Sequence, residues 1–260
     1  MPFLKIDNID INYVTGEKGI IKGKKNLVFI HGAGGNHKIW ELQLHYFKGE
    51  YNPIVIELPG HGESKGHGEK DIGSYTEWMK KIIEGLDLKT CFMIGHSMGG
   101  AITLGFALKY PEYLDAVILV GTGARLKVSL DILDSIKGDF EGSVKLMSKI
   151  LYSEHAPAKL IEMGEEELLK TRPEVLYDDF SACNTFDILN EINKIRLPAL
   201  ITCGVEDKLT PVKYSRFLND NINGSKLAII EDAGHMVMIE KSNEFNKEIQ
   251  DFVTDIHASG

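Results

Sequence analysis

The chain has 260 residues, of which 43% are hydrophobic and 26% are charged, so it is long enough for one well-buried domain or for one domain that carries an insertion. Its formal net charge of -9 argues against nucleic acid as the main partner, because phosphate binding requires a basic protein face. The three cysteines, Cys91, Cys183 and Cys203, are too few and too widely spaced to predict a disulfide framework or a zinc site.

Neither a secretion signal nor a membrane anchor is visible. The N-terminal residues lack a basic segment followed by an apolar one, and no apolar run approaches the ~20 residues that span a bilayer. We therefore expect no membrane span and a cytoplasmic location.

Residues 3–14 alternate apolar and polar side chains around Asp7 and Asn8, which predicts a pair of half-exposed strands. From Leu27 onward, short continuous apolar runs alternate with helical patterns. Such runs are typical of strands buried on both faces, and the alternation predicts an α/β fold with a mostly parallel sheet between helices. The predicted strands are 27–31, 53–58, 91–95, 116–121, 198–204 and 226–230, and the predicted helices are 37–48, 72–86, 97–110, 211–219 and 242–256.

Residues 122–193 interrupt this alternation with helical patterns and no strong strand. An insertion of this length between two sheet strands is most economically a helical cap, or lid, over the carboxyl edge of the sheet. We therefore predict a core formed by 1–121 and 194–260, and a cap formed by 122–193. We expect the cap to lie over Ser97, to control the range of substrates and not the chemistry, and to carry no residue of the catalytic triad.

The strongest motif is the G-x-S-x-G segment Gly95–Gly99, which lies between a predicted buried strand and a predicted helix. A nucleophilic serine needs such a sharp turn, because the strained backbone lifts Oγ above the sheet at the N-terminus of a helix. Residues two before and two after the serine must be small to avoid collision. Ser97 is therefore the predicted nucleophile, and an ordinary glycine-rich turn is the alternative.

A second glycine-rich segment, His31–Gly35, follows the first buried strand. Ester hydrolysis passes through a tetrahedral oxyanion that needs main-chain N–H donors, and glycine lets the backbone approach the substrate closely. The predicted donors are the N–H groups of Ala33 and Met98. A dinucleotide-binding turn is disfavoured because His37 stands where a third glycine would be needed, and no P-loop motif occurs.

The predicted acid and base follow two later strands, as Asp207 and His235. Both strand ends open on the edge of the sheet where Ser97 lies, and the order Ser, Asp, His is that of the α/β hydrolases. His235 can accept the Ser97 proton, and Asp207 can orient the imidazole. Glu206 is the alternative to Asp207. We favour Asp207, because the neighbouring position of Glu206 would point its side chain away from the site.

The other histidines are interpreted as structural. His31 would brace its loop, His96 would be fixed inside the elbow, and His61 would be packed scaffold beneath the site. His61 and His67 share one loop without an ordered carboxylate cluster, so no metal is predicted, and no motif calls for a cofactor.

Together the segments HGAGG, LPGHGES, GHSMGG, GVEDKLTP and AGHMVMIE resemble the α/β-hydrolase superfamily, in particular serine esterases and lipases with a helical cap. The resemblance covers about residues 20–255. It implies an eight-stranded sheet, a helical lid and hydrolysis through an acyl-enzyme. Glu57 departs from the pattern, since relatives usually carry Asp there.

The sequence thus predicts a serine hydrolase that cleaves a carboxylic ester of a small or medium acyl substrate. A C–C bond hydrolase, an enol-lactonase, a lyase and an acyltransferase stay open, because the same scaffold and triad serve them. A non-enzymatic ligand receptor is disfavoured by the intact triad. Candidates for substrate contacts are Trp40, Phe186 and Met236.

Overall fold

The computed structural model describes residues 2–258, with the side chains of 2–256. Within that range the strands are β1 (Phe3–Ile6), β2 (Ile9–Thr15), β3 (Asn26–Ile30), β4 (Asn52–Ile56), β5 (Cys91–His96), β6 (Leu114–Val120), β7 (Ala199–Gly204) and β8 (Lys226–Ile230). They form one sheet in the order β1-β2-β4-β3-β5-β6-β7-β8. The predicted eight-stranded sheet is confirmed.

Only β2 runs against the other strands, since it pairs antiparallel with β1 on one side and with β4 on the other. The remaining strands are parallel, and their registers align their carboxyl ends. Ile30 lies beside both Ile56 and Gly95, and His96 lies beside Val120. The segments that follow these strands therefore meet at one edge of the sheet.

The helices fall largely where the apolar periodicity predicts them. The segment predicted as one helix over 37–48 is a 3₁₀ turn, His37–Trp40, followed by a short α-helix. Within residues 2–258 no helix combines the length and the apolar character needed to cross a bilayer. The α-helices are α1 (Glu41–Phe47), α2 (Ile72–Gly85), α3 (Met98–Lys109), α4 (Leu130–Gly138), α5 (Phe140–Leu151), α6 (Ala158–Leu168), α7 (Pro173–Thr185), α8 (Val212–Asn221), α9 (Val237–Glu240) and α10 (Ser242–Ala258).

Two apolar clusters lie on opposite faces of the sheet, because successive strand residues point to opposite sides. On one face, Val28 and Ile30 of β3 pack in the cluster that includes α2 and α3. On the other, Leu27 and Phe29 pack with residues of α1 and α10, including Phe245. This arrangement leaves the carboxyl edge of the sheet for the segments that carry the predicted site residues.

The chain between β6 and β7 forms the four helices α4–α7. Side chains from α4, α5 and α7 build a small apolar cluster of their own, with Ile136, Val144, Met147 and Leu176 buried at its centre. At the base of this helical insertion an antiparallel bridge joins Arg125 to Asp187.

Glu57, the position that departs from the family pattern, is a buried carboxylate directly after β4. Its Oε1 accepts hydrogen bonds from the main-chain N–H and the Nδ1 of His37, at 3.2 and 2.6 Å. Its Oε2 accepts from Asn12 Nδ2 and from the main-chain N–H of Glu63, both at 2.7 Å. Burial alone would raise the pKa of Glu57, but the bonds from His37, Asn12 and Glu63 outweigh it and lower the pKa to about 2.

We expect Glu57→Gln to destabilise the fold at pH 7 by on the order of 3 kcal/mol, because the carboxyl pKa falls from an ordinary 4.5 to about 2 on folding. A lowered pKa contributes stability above the unfolded value that is lost as the pH falls toward the folded value. The difference between variant and wild type should therefore shrink to roughly half at about pH 3. Urea unfolding at both pH values measures it.

The exposed neighbour Glu63 provides the control, and Glu63→Gln should change the free energy of unfolding by less than about 0.5 kcal/mol. An equal effect of Glu57→Gln at pH 7 and pH 3 would show that the ionised carboxylate is not the source of the stability.

Candidate active site

Ser97 forms a sharp turn between β5 and α3. Its backbone has φ 53° and ψ -115°, a left-handed conformation that a non-glycine residue adopts only when its surroundings enforce it. The main-chain N–H of Ser97 donates to Val120 O at 2.9 Å, and the Thr122 hydroxyl donates to Ser97 O at 2.8 Å. The adjoining ends of β5 and β6 thus hold the serine at the sheet edge, where it is half-buried.

The flanking glycines are required by close backbone contacts. A Cβ at Gly99 would lie 2.5 Å from the carbonyl oxygen of Ile30, and a Cβ at Gly95 would collide with the carbonyl group of Gly99. The backbones of β3, β5 and α3 consequently pack together without intervening side chains. This packing accounts for the sequence requirement at both positions.

Asp207 and His235 are joined by a hydrogen bond of 2.8 Å between Oδ2 and Nδ1. Both side chains are buried, although they follow different strands, β7 and β8. Asp207 also accepts from the main-chain N–H groups of Leu209 and Thr210, at 2.9 and 2.8 Å, and from the Thr210 hydroxyl at 2.8 Å. The carboxylate is thus fixed on one side and presents its remaining oxygen lone pair to the imidazole.

The pKa of Asp207 is lowered by this environment. Burial alone would raise it, but the charge interaction and hydrogen bond with His235, together with the bonds from Thr210, outweigh burial. Asp207 is therefore ionised at neutral pH and can stabilise a cationic imidazole.

Gly121 connects the pair to the serine turn. A Cβ at Gly121 would lie 3.2 Å from Asp207 Oδ2 and 3.3 Å from His235 Nδ1, while Ser97 is bonded to Val120 and Thr122 on either side of this glycine. The structure therefore brings Ser97, Asp207 and His235 to one place at the sheet edge.

Glu206 faces a different direction from Asp207. Its Oε2 accepts from the main-chain N–H of Glu154 at 2.9 Å, and its Oε1 lies 3.9 Å from Nε2 of His155. Both partners belong to the helical insertion. These contacts favour Asp207 over Glu206 as the partner of His235.

The segment His31–Gly35 lies against the serine turn, since a Cβ at Gly32 would be 3.1 Å from Ser97 Cβ. His31 Nδ1 contacts Gly32 O at 2.8 Å, and its Nε2 accepts from Leu58 N–H at 3.2 Å. Burial, reinforced by the neighbouring His61, lowers the pKa of His31 to about 4. A neutral His31 that donates from Nδ1 and accepts at Nε2 satisfies both contacts and braces the loop, as the sequence predicts.

His96 packs beside the base, with 4.6 Å between the centroids of its ring and that of His235. Its Nε2 contacts the carbonyl oxygen of His235 at 3.0 Å, so this nitrogen carries the proton and donates. Burial, together with the charge of His235, holds the pKa of His96 well below its ordinary value. His96 therefore supports the backbone of His235 as a neutral ring.

The three candidates for substrate contacts occupy different surroundings. Trp40 is fully buried and packs against Phe29 and Phe245, with ring centroids 5.1 and 6.1 Å away, which are the contacts of a core side chain and weigh against a substrate-lining role. Phe186 is buried where α7 ends. Met236 directly follows His235 and donates its N–H to Leu151 O, at the end of α5. For Phe186 and Met236 a substrate contact stays a prediction.

Within residues 2–258, His155, Glu206 and Asp232 are the one group of side chains whose metal-ligating atoms cluster, all lying within 4.8 Å of one another. His155 and Asp232 are exposed, and Lys241 contacts the Asp232 carboxylate at 3.3 Å. Solvated ion pairs account for this group.

A polar cleft of about 540 Å³ opens between the insertion and the core loops, and neither Ser97 nor His235 lines it. Glu167 in its wall is bonded to Lys38 and Lys170, at 2.7 and 2.5 Å, so these charges are already paired. The cleft therefore does not compete with the serine turn as the candidate site.

Sequence reasoning missed two supporting residues. The Thr210 hydroxyl contacts both Asp207 Oδ2 and, at 3.3 Å, His235 Nδ1. Glu240 accepts from the N–H groups of Gly234 and Ser153, at 3.0 and 2.8 Å, and so ties the His235 loop to the insertion. Thr210 had a local signal, because an Asp in a loop commonly accepts from main-chain N–H groups a few residues on, as Asp207 does from Leu209 and Thr210. Glu240 had none.

Fold and site geometry together define an α/β hydrolase. The chain belongs to the α/β-hydrolase fold family, whose model matches residues 25–242. It is 26% identical to the proline iminopeptidase of Saccharolobus solfataricus, covering 98% of this chain and 97% of that protein. It is 22% identical to the pimeloyl-(acyl-carrier protein) methyl ester esterase of Neisseria meningitidis, covering 88% and 93%. A solved structure of a thermophilic esterase matches with a TM-score of 0.86 and 32% identity, covering 98% and 97%.

Proposed function

We propose that this protein is a serine esterase that cleaves a carboxylic ester of a small or medium acyl substrate through an acyl-enzyme. The observation that carries the proposal is the strained Ser97, φ 53°, at the same sheet edge as the bonded pair Asp207–His235. A serine in an ordinary turn needs neither the strain nor a buried carboxylate–imidazole pair beside it. The esterase names among the relatives support the same reaction class.

In the first half of the reaction, Ser97 Oγ attacks the ester carbonyl carbon while its proton passes to Nε2 of His235. Asp207 holds Nδ1–H, which leaves Nε2 as the basic nitrogen and stabilises the imidazolium that forms. Collapse of the tetrahedral intermediate breaks the bond to the alkoxy group, which leaves as the alcohol with the proton from His235. A water molecule then repeats the sequence on the acyl-enzyme and releases the acid.

The tetrahedral oxygen would be stabilised by the N–H groups of Met98 and Ala33. Met98 is the first residue of α3, where main-chain N–H groups lack an acceptor within the helix and the dipole favours negative charge. Ala33 is half-buried in the loop that lies against Ser97. Each such donor contributes about 10²–10³ in kcat in comparable enzymes.

The helical insertion is proposed as the cap that selects substrates. It contacts the loops that carry Asp207 and His235 at two points. The N–H of Glu154 donates to Glu206, and the carbonyl oxygen of Leu151 accepts from the N–H of Met236. We expect substitutions on its inner face that leave its bonds to the loop after β3 intact to change the preferred acyl length, while a small activated ester is still cleaved.

A series of p-nitrophenyl esters of increasing acyl length tests this function, with proline p-nitroanilide as the amide alternative suggested by the peptidase relative. We expect hydrolysis of the shorter esters, at a rate at least about tenfold above that of the anilide. Preference for the anilide would move the protein to the peptidases, and no turnover of either class would contradict the proposal.

A further inference from the structure

Asp179 is a fully buried carboxylate on α7 that reaches out of the insertion to the loop after β3. Its Oδ2 accepts from the main-chain N–H of Gly34 at 2.7 Å and lies 2.7 Å from Nε2 of His61. Its Oδ1 accepts from the hydroxyl of Tyr75 at 2.5 Å. A carboxylate removed from water is costly unless it is fully bonded, and here the bonds come from the core.

The imidazole of His61 completes the charge balance. Nδ1 of His61 contacts Pro59 O at 3.1 Å, and Nε2 contacts Asp179, so both nitrogens face acceptors and both must donate. Burial alone would lower the pKa of His61, but the charge of Asp179 and the bonds to Asp179 and Pro59 outweigh burial and raise it. A buried ion pair therefore joins the insertion to the core beside the loop.

Gly34 is held by the insertion at both of its polar groups. Its N–H donates to Asp179, and its carbonyl oxygen accepts from the Thr171 hydroxyl at 2.6 Å. Its φ of 65° favours glycine, and a Cβ at this position would lie 2.6 Å from a methyl group of Leu168 and of Leu176. Leu168, Thr171, Leu176 and Asp179 all belong to the insertion.

The N–H of Ala33 belongs to the peptide that precedes the one held at Gly34. This preceding peptide, between Gly32 and Ala33, is fixed at its carbonyl oxygen, because Gly32 O accepts from His31 Nδ1 at 2.8 Å and from Gly35 N–H at 3.0 Å. In a trans peptide the N–H points opposite to the carbonyl, so these bonds aim the Ala33 donor. Bonds within the core thus fix the peptide plane that contains the Ala33 N–H, and bonds from the insertion fix Gly34.

We propose that Asp179, with Thr171, is a positioning residue for the oxyanion loop, so that the insertion controls the rate of the chemical step as well as the choice of substrate. This assignment rests on the proposed function, in which Ala33 donates to the oxyanion. Displacement of α7 by a bound substrate would move Gly34 and change the aim of the Ala33 N–H. A misplacement of about 1 Å in a catalytic group can cost about 10²-fold in rate.

The test compares Asp179→Asn, Thr171→Val and the control Asp178→Asn on a short p-nitrophenyl ester. Asp178 is the neighbouring carboxylate on α7 and faces Lys70 at 3.8 Å, away from the loop. We expect kcat to fall by about 10²-fold for Asp179→Asn and about tenfold for Thr171→Val, with KM changed less than about threefold. Asp178→Asn should behave as wild type.

The affinity for a boronic acid distinguishes a positioning role from a merely structural one. The tetrahedral adduct of the boronic acid on Ser97 places an oxygen where the oxyanion forms. Its affinity should fall in proportion to kcat in both variants, while the far- and near-UV circular dichroism stays that of wild type. If loss of the buried charge prevents Asp179→Asn from folding, Thr171→Val decides, since it leaves the ion pair intact.

The outcomes separate the two claims. Wild-type protein whose Ser97 is left unmodified by a serine-directed phosphonate would overturn the proposed function and this assignment with it. Wild type labelled at Ser97, with Thr171→Val and folded Asp179→Asn matching Asp178→Asn in kcat and boronate affinity, would overturn this assignment alone.

Discussion

Replacement of Ser97 by alanine will abolish ester hydrolysis and leave the fold intact. Alanine keeps a small side chain at φ 53° and the main-chain bonds to Val120 and Thr122, so the turn should form as before. It removes Oγ, the only atom that the proposed mechanism allows to attack the substrate. Comparable serine enzymes lose on the order of 10⁶ in kcat, or ~8 kcal/mol of transition-state stabilisation.

Steady-state kinetics on one activated ester and a thermal melt of the same sample check this expectation. Thr122→Val is the matched control, since it alters the support of the turn and spares the nucleophile. Its kcat should fall far less than that of Ser97→Ala. Retention of more than about a hundredth of wild-type kcat by Ser97→Ala would mean that another group attacks the substrate.

Asp207→Asn should have the second largest effect, with kcat lower by on the order of 10⁴, as in comparable triads. The amide keeps the shape of the carboxylate but loses the charge that stabilises the imidazolium. Its NH₂ group would also favour the wrong tautomer of His235, because the bond at 2.8 Å needs an acceptor opposite Nδ1–H. Glu206→Gln should cost less than about tenfold, since Glu206 bonds to the insertion.

Measurement of kcat for both variants on one ester decides between the two carboxylates. The reverse ranking would assign the acid to Glu206. Two mild effects would mean that His235 is oriented by a different group.

Much of the fold could be predicted because the sheet strands are buried on both faces and therefore appear as continuous apolar runs. The predicted strand 226–230 coincides with β8, and the predicted helix 72–86 differs from α2 by one residue. The helix predicted over 37–48 begins as a 3₁₀ turn, in which the Asn36 side chain accepts from Lys38 N–H. The helix α9 was missed because four residues are too few to show a helical period.

In the candidate site, too, residues that follow buried strands could be predicted, and a residue held by a long-range contact could not. The meeting of Ser97, Asp207 and His235 at one sheet edge was predictable, because each lies in the segment that follows a recognisable strand and parallel strands bring their carboxyl ends together. Asp179 was not predictable, because its partner Gly34 lies 145 residues away and on a different element. Its packing depends on how the insertion folds over the core, and nothing in the apolar periodicity of α7 encodes that placement.

The central claim, that Ser97 is the reactive nucleophile, is tested most directly by treating the wild-type protein with a fluorophosphonate and locating the adduct by peptide mass mapping. One adduct per chain is expected, on the peptide that contains Ser97, with activity lost in proportion to labelling. The same reagent should leave Ser97→Ala unmodified. An adduct on any other residue, or full labelling with activity retained, would contradict the account.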